Sequence, residues 1–302
     1  MSKDVPLFLL PLLPHYKSLS MQMLIVDAGA TKTDFTVLSN GKILFRFSDA
    51  GINPNYCTEM EIMEVFFSFV HNYHDTKEIS RIFYYGAGCA SQNNAVMMED
   101  LMLKFFPLAV IKVYSDLIAV CHALSMGHAS VISILGTGSA SCLFDGKEIA
   151  RRAPSLGYFL GDEGSGTNLG KRLLTVYLRG QLPDDLSYEL EQSYELSFEK
   201  VIFRIYKQPE PNRLMSSLSP FVQKHINHPV IRKLALDAFL DFFATQKIHY
   251  PENVDLYWHL SGSVAYYYRD IIKEAALQQN CKLGMIVSSP MEKLIDYYKI
   301  LK

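Results

Sequence analysis

The chain has 302 residues, a length that suits two domains, and 49% of them are hydrophobic, as in a folded protein with a substantial core. Lys and Arg number 29 against 31 for Asp and Glu, so there is no basic excess with which to bind nucleic acid. Five scattered cysteines form no C-x-x-C pair, which argues against a structural zinc site or a disulfide framework and favours a reducing cytoplasm.

The first 21 residues include an apolar stretch, residues 5–13, that two prolines interrupt and no small-x-small cleavage site follows. The stretch is too short to cross a bilayer. We interpret residues 1–21 as a disordered extension, with an export signal as the alternative, because the first convincing strand opens at Met21 or Met23. No membrane partner is expected.

The sequence pattern of residues 23–126 predicts alternating strands and helices, which is typical of an α/β protein. Asn40-Gly41 is a strong signal for a two-residue hairpin turn. The predicted strands are residues 23–26, 34–39, 42–48, 81–85 and 110–114, and the predicted helices are residues 59–71, 94–105 and 116–126.

From residue 130 the same order starts again, with strands at 130–135, 139–144 and 147–151 and a hairpin turn at Asp145-Gly146. A mainly helical insert, residues 164–249, precedes strand 254–260, helix 264–277, strand 282–287 and a closing helix from residue 290 to about 300. An internal repeat predicts two similar lobes with a ligand cleft between them. We predict lobes at 22–117, completed by helix 290–302, and at 118–289.

A turn rich in glycine and threonine joins the first two strands of each half. Residues 27–33 read Asp-Ala-Gly-Ala-Thr-Lys-Thr, and residues 136–139 read Gly-Thr-Gly-Ser. Glycine exposes successive N–H groups that can hold an anion, so the two turns could clamp a polyphosphate from both sides. Tight hairpins without a ligand are the alternative. Neither turn fits the P-loop or the dinucleotide-binding pattern, since a strand follows each.

These turns resemble the two phosphate motifs of the superfamily of actin, the Hsp70 chaperones and the sugar kinases, and residues 260–265 resemble its adenosine motif. The resemblance runs from about residue 23 to the end. It implies two actin-like, ribonuclease H-like lobes, each a mixed five-stranded sheet with flanking helices, and ATP between them. It implies that Asp27 holds Mg²⁺ through water. The implied ATP-binding residues are Asp27, Gly29, Ala30, Thr31, Lys32, Thr33, Gly136, Thr137, Gly138, Ser139, Ser261, Gly262 and Ser263.

Asp116 follows a predicted strand and opens a predicted helix, at the point where the chain enters the cleft. An aspartate there can serve as a helix cap. A sugar kinase needs a carboxylate that accepts the proton of the attacking hydroxyl, and we predict that Asp116 is this catalytic base and contacts the sugar.

The loop at residues 157–165 resembles the Gly-Asp-Glu-Gly-Ser loop of N-acetylglucosamine kinases, which are grouped with the activator ATPases of benzoyl-CoA reductase and 2-hydroxyacyl-CoA dehydratase. Adjacent carboxylates suit sugar hydroxyls, although an acidic capping turn is the alternative. Leu156 stands where those kinases tend to carry tryptophan. The implied sugar-binding residues are Gly157, Asp162, Glu163, Thr137 and Asn55. Asn53 is the alternative to Asn55, and both asparagines could instead only form a turn.

The sequence thus predicts an ATP- and Mg²⁺-dependent sugar kinase acting on a small sugar, with the 6-hydroxyl of N-acetylglucosamine as the best acceptor and other hexoses or amino sugars open. The resemblance is compatible with a homodimer. Two alternatives stay open. One is an activator ATPase with a [4Fe–4S] cluster, for which Cys89 is the one candidate ligand near a strand-end loop. The other is a regulatory protein that binds nucleotide without chemistry.

Overall fold

The computed structural model describes residues 22–29, 31–251 and 255–300. Four predictions lie outside the described residues. They are the disordered extension at residues 1–21, the role of Ala30 in ATP binding, the start of the strand at Val254, and the last two residues of helix 290–302.

Two five-stranded sheets form the framework, and both have the same topology. The first contains β1 (Gln22–Ala28), β2 (Lys32–Ser39), β3 (Lys42–Ala50), β4 (Ile79–Gly86) and β5 (Val110–Ser115), in the order β3-β2-β1-β4-β5. The second contains β6 (Ser130–Leu135), β7 (Ser139–Phe144), β8 (Ile149–Arg152), β9 (Tyr257–Ser261) and β10 (Lys282–Val287), in the order β8-β7-β6-β9-β10.

In each sheet the first three strands are antiparallel and the last two run parallel to the first. This confirms the predicted α/β class and the predicted five-stranded mixed sheets. Parallel strands need crossover connections, and helices supply them. In the first half these helices are α1 (Glu59–Asn72) and α2 (Gln92–Leu103), and α3 (Asp116–Leu124) leads to the second half.

The helices of the second half include the predicted insert. They are α4 (Gly157–Leu160), α5 (Gly166–Leu178), α6 (Asp184–Tyr194), α7 (Phe198–Lys207), α8 (Pro211–Ser217), α9 (Ser219–Lys224) and α10 (Pro229–Lys247), followed by α11 (Ser263–Tyr267), α12 (Arg269–Gln278) and α13 (Met291–Ile300). The single helix predicted at 264–277 is two helices, because the chain leaves the helical conformation at Tyr268. The buried Tyr268 hydroxyl instead donates to the carbonyl of Ser219, which ties α9 to this junction.

Helices α3 and α13 pack between the two sheets. Their apolar faces share one buried cluster with Ile25 and Tyr85 of the first sheet and with Ile132 and Phe144 of the second. The helix that starts with Asp116 is therefore fixed to both sheets, so the orientation of its first residue depends on both halves of the chain.

The insert shares one core with the second sheet, in which the buried face of α10 packs with Trp258 of β9. Helices α5 and α8 cross closely at Gly170, where a Cβ atom would lie 1.8 Å from the Met215 carbonyl oxygen. Across the described part of the chain, the model contains no helix with the length and apolar character that a membrane crossing requires.

Candidate active site

The first Gly/Thr turn lies between β1 and β2 and is held by backbone hydrogen bonds, one within the turn and one from the residue after β4. The Gly29 N–H donates to the carbonyl of Lys32 at 2.9 Å, and the Ala87 N–H donates to the carbonyl of Ala28 at 2.9 Å. Of the predicted ATP-binding residues here, Thr31 is exposed, whereas the Thr33 side chain is fully buried and its hydroxyl has no partner among the described residues. The Thr33 side chain therefore lies in the protein interior, whereas Thr31 is exposed.

Asp27, at the end of β1, lies among other acidic groups. Its register partner on β2 is Asp34, which forms a 2.7 Å salt bridge with Lys32. Burial, and next the charges of Asp34 and Asp116, raise the pKa of Asp27 to about 7, although Lys32 and a 3.3 Å hydrogen bond from Ser289 oppose the rise. Sequence reasoning missed Asp34, although it directly follows the predicted motif.

This carboxylate environment fits a divalent cation. Oxygen ligands are those that Mg²⁺ prefers, and a buried carboxylate with a pKa near 7 is stabilised in its charged form by a nearby positive ion. No cluster of three or more potential metal ligands occurs in residues 22–29, 31–251 and 255–300. The arrangement suits a metal ion that arrives largely coordinated by phosphate oxygens and water, with Asp27 as its protein contact.

The second Gly/Thr turn lies between β6 and β7 and is braced by the start of α5. The Gly136 N–H donates to the Gly138 carbonyl at 3.0 Å. The Gly166 N–H donates to the Gly136 carbonyl at 2.8 Å, and the Thr167 N–H and hydroxyl both donate to the Thr137 carbonyl, at 3.1 and 2.6 Å. The first donors of α5 are therefore used to hold this turn.

Asp162, which the sequence places in the sugar site, also contacts the second turn. Its Oδ1 accepts the backbone N–H of Ser139 at 3.2 Å, and a Cβ atom on Gly138 would lie 3.1 Å from its Oδ2. Burial raises the pKa of Asp162, the Ser139 N–H opposes that rise, and Glu163 adds to it. Gly157, also predicted in the sugar site, opens α4 with a φ of +69°, a conformation that favours glycine.

Asp116 is the first residue of α3, after Ser115 in an extended conformation. Its Oδ1 accepts the N–H of Leu117 at 2.8 Å, so the side chain does stabilise the helix start, and its charge contributes to the raised pKa of Asp27. Burial raises the pKa of Asp116, and the positive charge of Arg152 lowers it. A raised pKa makes a carboxylate a stronger base, which suits the predicted role.

Sequence reasoning missed Arg152. This residue ends β8, and its guanidinium donates to the Ser115 hydroxyl at 3.3 Å, directly before Asp116. Nothing in the sequence separates Arg152 from its neighbour Arg151, because the choice depends on which side chain the strand directs toward α3.

A cavity of about 1070 Å³ lies between the two halves of the chain and the helical insert. Its walls include Thr31, Gly136, Thr137 and Ser263 of the predicted ATP-binding set, and Asn53 and Tyr158 on the predicted sugar side. The opposite wall comes from α8 and α9, with Asn212, Arg213, Ser216 and Gln223. The sequence gave no signal for this wall, since the helices of the insert lack a motif.

The predicted adenosine segment follows β9. Ser261 is buried at the strand end, and the Gly262 N–H donates to the Val287 carbonyl at 3.0 Å. Gly262 has a φ of +117°, and a Cβ atom there would lie 2.2 Å from the Leu135 carbonyl oxygen. Only glycine fits, because β9 and β6 approach each other here at the entrance to the second turn.

The two candidate asparagines have different surroundings. The side-chain oxygen Oδ1 of Asn55 accepts from the Asn94 side-chain amide at 2.8 Å, which occupies part of the hydrogen-bonding capacity of Asn55. Asn53 lines the cavity, and its Oδ1 accepts the Asn55 N–H at 3.0 Å. Both side chains lie against Gly88, so the loop that follows β3 is fixed to the end of β4.

The cysteine predicted as the one candidate iron ligand, Cys89, is buried, and burial raises the pKa of its thiol to about 12. A cluster ligand must be a thiolate that can reach the metal. The geometry around Cys89 therefore does not favour the iron–sulfur alternative.

Solved structures similar to this chain include sugar kinases. A candidate N-acetylglucosamine kinase from Porphyromonas gingivalis is 37% identical, with a TM-score of 0.87 over 92% of this chain and 99% of that chain. One from Chromobacterium violaceum is 17% identical, with a TM-score of 0.74 over 92% of this chain and 99% of that chain.

A ROK-family glucokinase from Streptomyces griseus, solved with glucose and AMPPNP, is 15% identical, with a TM-score of 0.58 over 92% of this chain and 98% of that chain. At this identity and at that of the Chromobacterium violaceum protein, the likeness shows the fold alone. No protein-family model matches the sequence, and a search of curated proteins finds no match.

Proposed function

Because the chain belongs to the family of actin-fold N-acetylglucosamine kinase-like proteins, we propose that it transfers the γ-phosphoryl group of ATP to an amino sugar. N-Acetylglucosamine, phosphorylated at its 6-hydroxyl, is the proposed acceptor. The observation that carries the proposal is that both Gly/Thr turns, from equivalent places in two equivalent sheets, line one cavity through Thr31, Gly136 and Thr137. Asp27, which precedes the first turn, and Asp116 lie close enough for their charges to interact.

The nucleotide is proposed to extend along the cavity from the adenosine segment to the turns. Ser263 and Val264 line the cavity on one side, and the helices α8 and α9 line it on the other. Gly136 and Thr137 lie along the same cavity, and the absence of a side chain at Gly136 lets phosphate oxygens approach the backbone of the turn closely. The triphosphate would thus point from the insert toward Asp27.

The metal ion that accompanies ATP is proposed to be Mg²⁺, with Asp27 as its protein contact through water. Mg²⁺ neutralises charge on the phosphate oxygens as the phosphoryl group moves. Asp27 would then be held ionised, because a positive ion counteracts the burial and the acidic neighbours that raise its pKa.

The sugar is proposed to bind between the loop after β3 and the Gly-Asp-Glu loop, where Asn53 and Tyr158 face the cavity from opposite sides. Asp116 would accept the proton of the attacking hydroxyl. Its bond to the Leu117 N–H fixes one carboxylate oxygen and leaves the other for the substrate. The proton leaves the hydroxyl oxygen as that oxygen bonds to phosphorus and ADP departs.

Several finer features of the proposal follow from this chemistry. The domains are proposed to be residues 22–117 with the closing helix 290–302, and residues 118–289. ATP and sugar phosphates are cytoplasmic metabolites, so the enzyme is proposed to act in the cytoplasm, and a homodimer is proposed as its assembly.

The test is ADP release with Mg-ATP across a panel of N-acetylglucosamine, glucosamine, N-acetylmannosamine, glucose and a control without sugar. We expect release that depends on sugar and is fastest with N-acetylglucosamine. Slow ADP release that is equal with every sugar and without sugar would contradict the proposal and favour nucleotide-dependent regulation.

A further inference from the structure

The carboxylate of Asp162 lies against the second Gly/Thr turn. Its Oδ1 accepts the Ser139 N–H at 3.2 Å, and its Oδ2 lies 3.1 Å from the position that a Cβ atom on Gly138 would take. Ser139 starts β7 directly after the turn, so its N–H is one of the donors that a phosphate group would use. A negatively charged group therefore already holds a donor that the nucleotide needs.

The first turn has a lysine beside its carboxylates, Asp27 and Asp34. There the strand after the turn begins with Lys32, a cation. In the second turn the equivalent strand begins with Ser139, and a carboxylate covers the glycine before it. The two repeats share a topology, but at the start of β7 the second repeat has Ser139 where the first has the cation Lys32.

The loop that carries Asp162 also leads to the sugar side of the cleft. Tyr158, four residues earlier, lines the cavity. Asp162 itself has a φ of +59°, which is strained for a residue other than glycine, so the surroundings must hold it in place. The loop is joined to α5 through the Ser165 N–H, which donates to the Asp162 carbonyl at 3.1 Å.

We propose that Asp162 is a gate that couples the two substrates, a role that rests on the proposed kinase function. Without sugar, its carboxylate holds the Ser139 N–H and repels the polyphosphate. Sugar hydroxyls donate to the carboxylate and draw it from the turn, which frees the donor for ATP. Sugar binding then strengthens ATP binding, and by reciprocity ATP strengthens sugar binding. Hydrolysis of ATP without an acceptor is suppressed.

The experiment measures the Kd of fluorescent mant-AMPPNP with Mg²⁺, with and without saturating N-acetylglucosamine. In the wild type we expect sugar to tighten binding about tenfold. Asp162→Asn retains an acceptor oxygen for Ser139 and removes the charge. We expect it to bind mant-AMPPNP about tenfold more tightly than the wild type without sugar, and sugar to add less than about twofold.

Two further variants make the result specific. Asp145→Asn is the matched control, because the Asp145 carboxylate also accepts backbone N–H groups, from Lys147 and Glu148, in an exposed hairpin. It should behave as the wild type. Asp162→Ala should lose the coupling as Asp162→Asn does, and circular dichroism verifies that each variant is folded.

A gate is contradicted if Asp162→Asn keeps the tenfold effect of sugar, or if it weakens mant-AMPPNP equally with and without sugar, as a purely structural role would. A wild type that binds no mant-AMPPNP would overturn the proposed function, and the gate with it. A wild type that binds nucleotide and sugar independently would overturn the gate alone.

Discussion

Asp27 and Asp34 face each other as register partners on β1 and β2, and Lys32 forms its 2.7 Å salt bridge with Asp34. Like charges opposite each other on neighbouring strands are destabilising. With burial as the largest cause and Asp34 as the next, the pKa of Asp27 rises to about 7. Ionisation of Asp27, at the end of β1, is therefore unfavourable in the folded protein, and a bound cation would make it favourable.

Replacing Asp27 by Asn should stabilise the ligand-free protein while abolishing phosphoryl transfer. In the unfolded chain Asp27 ionises near its ordinary pKa of 3.8, whereas in the folded chain it holds its proton until about pH 7. The folded state binds more protons between these values, so its stability falls as pH rises through that window. At pH 8 we expect the free energy of unfolding of Asp27→Asn to be about 2 kcal/mol higher than that of the wild type.

Urea denaturation at pH 4.5 and pH 8 measures this difference. The gain should be small at pH 4.5, where Asp27 is protonated in the folded protein, and Asp100→Asn, an exposed control on α2, should show no gain at either pH. An Asp27→Asn protein that is less stable than the wild type at pH 8 would refute the claim that ionised Asp27 destabilises the folded protein.

Arg152 should set the acidic limit of activity through Asp116. Its positive charge lowers the pKa of Asp116, so replacing it by Gln should raise that pKa and move the acidic limb of the kcat profile to higher pH. We expect the rate at pH 6, relative to that at pH 8, to fall about twofold or more. Arg151→Gln is the neighbouring control. An acidic limb that does not move in Arg152→Gln would argue against Asp116 as the titrating base.

The close crossing of α5 and α8 should be essential for nucleotide binding. A Cβ atom at Gly170 would lie 1.8 Å from the Met215 carbonyl oxygen, so Gly170→Ala must separate the two helices. We expect a loss of about 2 to 3 kcal/mol in unfolding free energy. Because Asn212 and Ser216 of α8 line the cavity, mant-AMPPNP binding should weaken as well.

The adjacent and exposed Lys171 supplies the control on the same helix. Thermal melting and mant-AMPPNP titration of Lys171→Ala should both match the wild type. If Gly170→Ala loses stability and keeps wild-type nucleotide affinity, the wall formed by α8 does not contribute to the nucleotide site.

Much of the fold could be predicted because the repeated strands and turns are encoded locally. Short runs of apolar residues define the buried strands β1 and β6. The hairpin at Asn40-Gly41 follows from residues that accept a positive φ, as both do here. Helix α1 begins at a capping box formed by Thr58 and Glu61, a pairing that needs only neighbouring residues.

What could not be predicted depends on contacts between distant parts of the chain. Tyr268, at the break between α11 and α12, donates its hydroxyl to the Ser219 carbonyl, far away in the insert. Arg152 reaches Ser115 only because β8 ends beside α3. The contact between Asp162 and Ser139 likewise joins a loop to a turn 23 residues earlier. The sequence motif could therefore predict that Asp162 binds sugar, but it could not predict the contact on which the proposed gate depends.

The role of Asp116 as catalytic base is tested most directly by comparing Asp116→Asn with the wild type in two measurements on the same preparations. The account predicts that N-acetylglucosamine-dependent ADP release falls at least about 10²-fold, while mant-AMPPNP binds with an affinity within about threefold of the wild type. Sugar-dependent ADP release at a wild-type rate in Asp116→Asn would contradict the account.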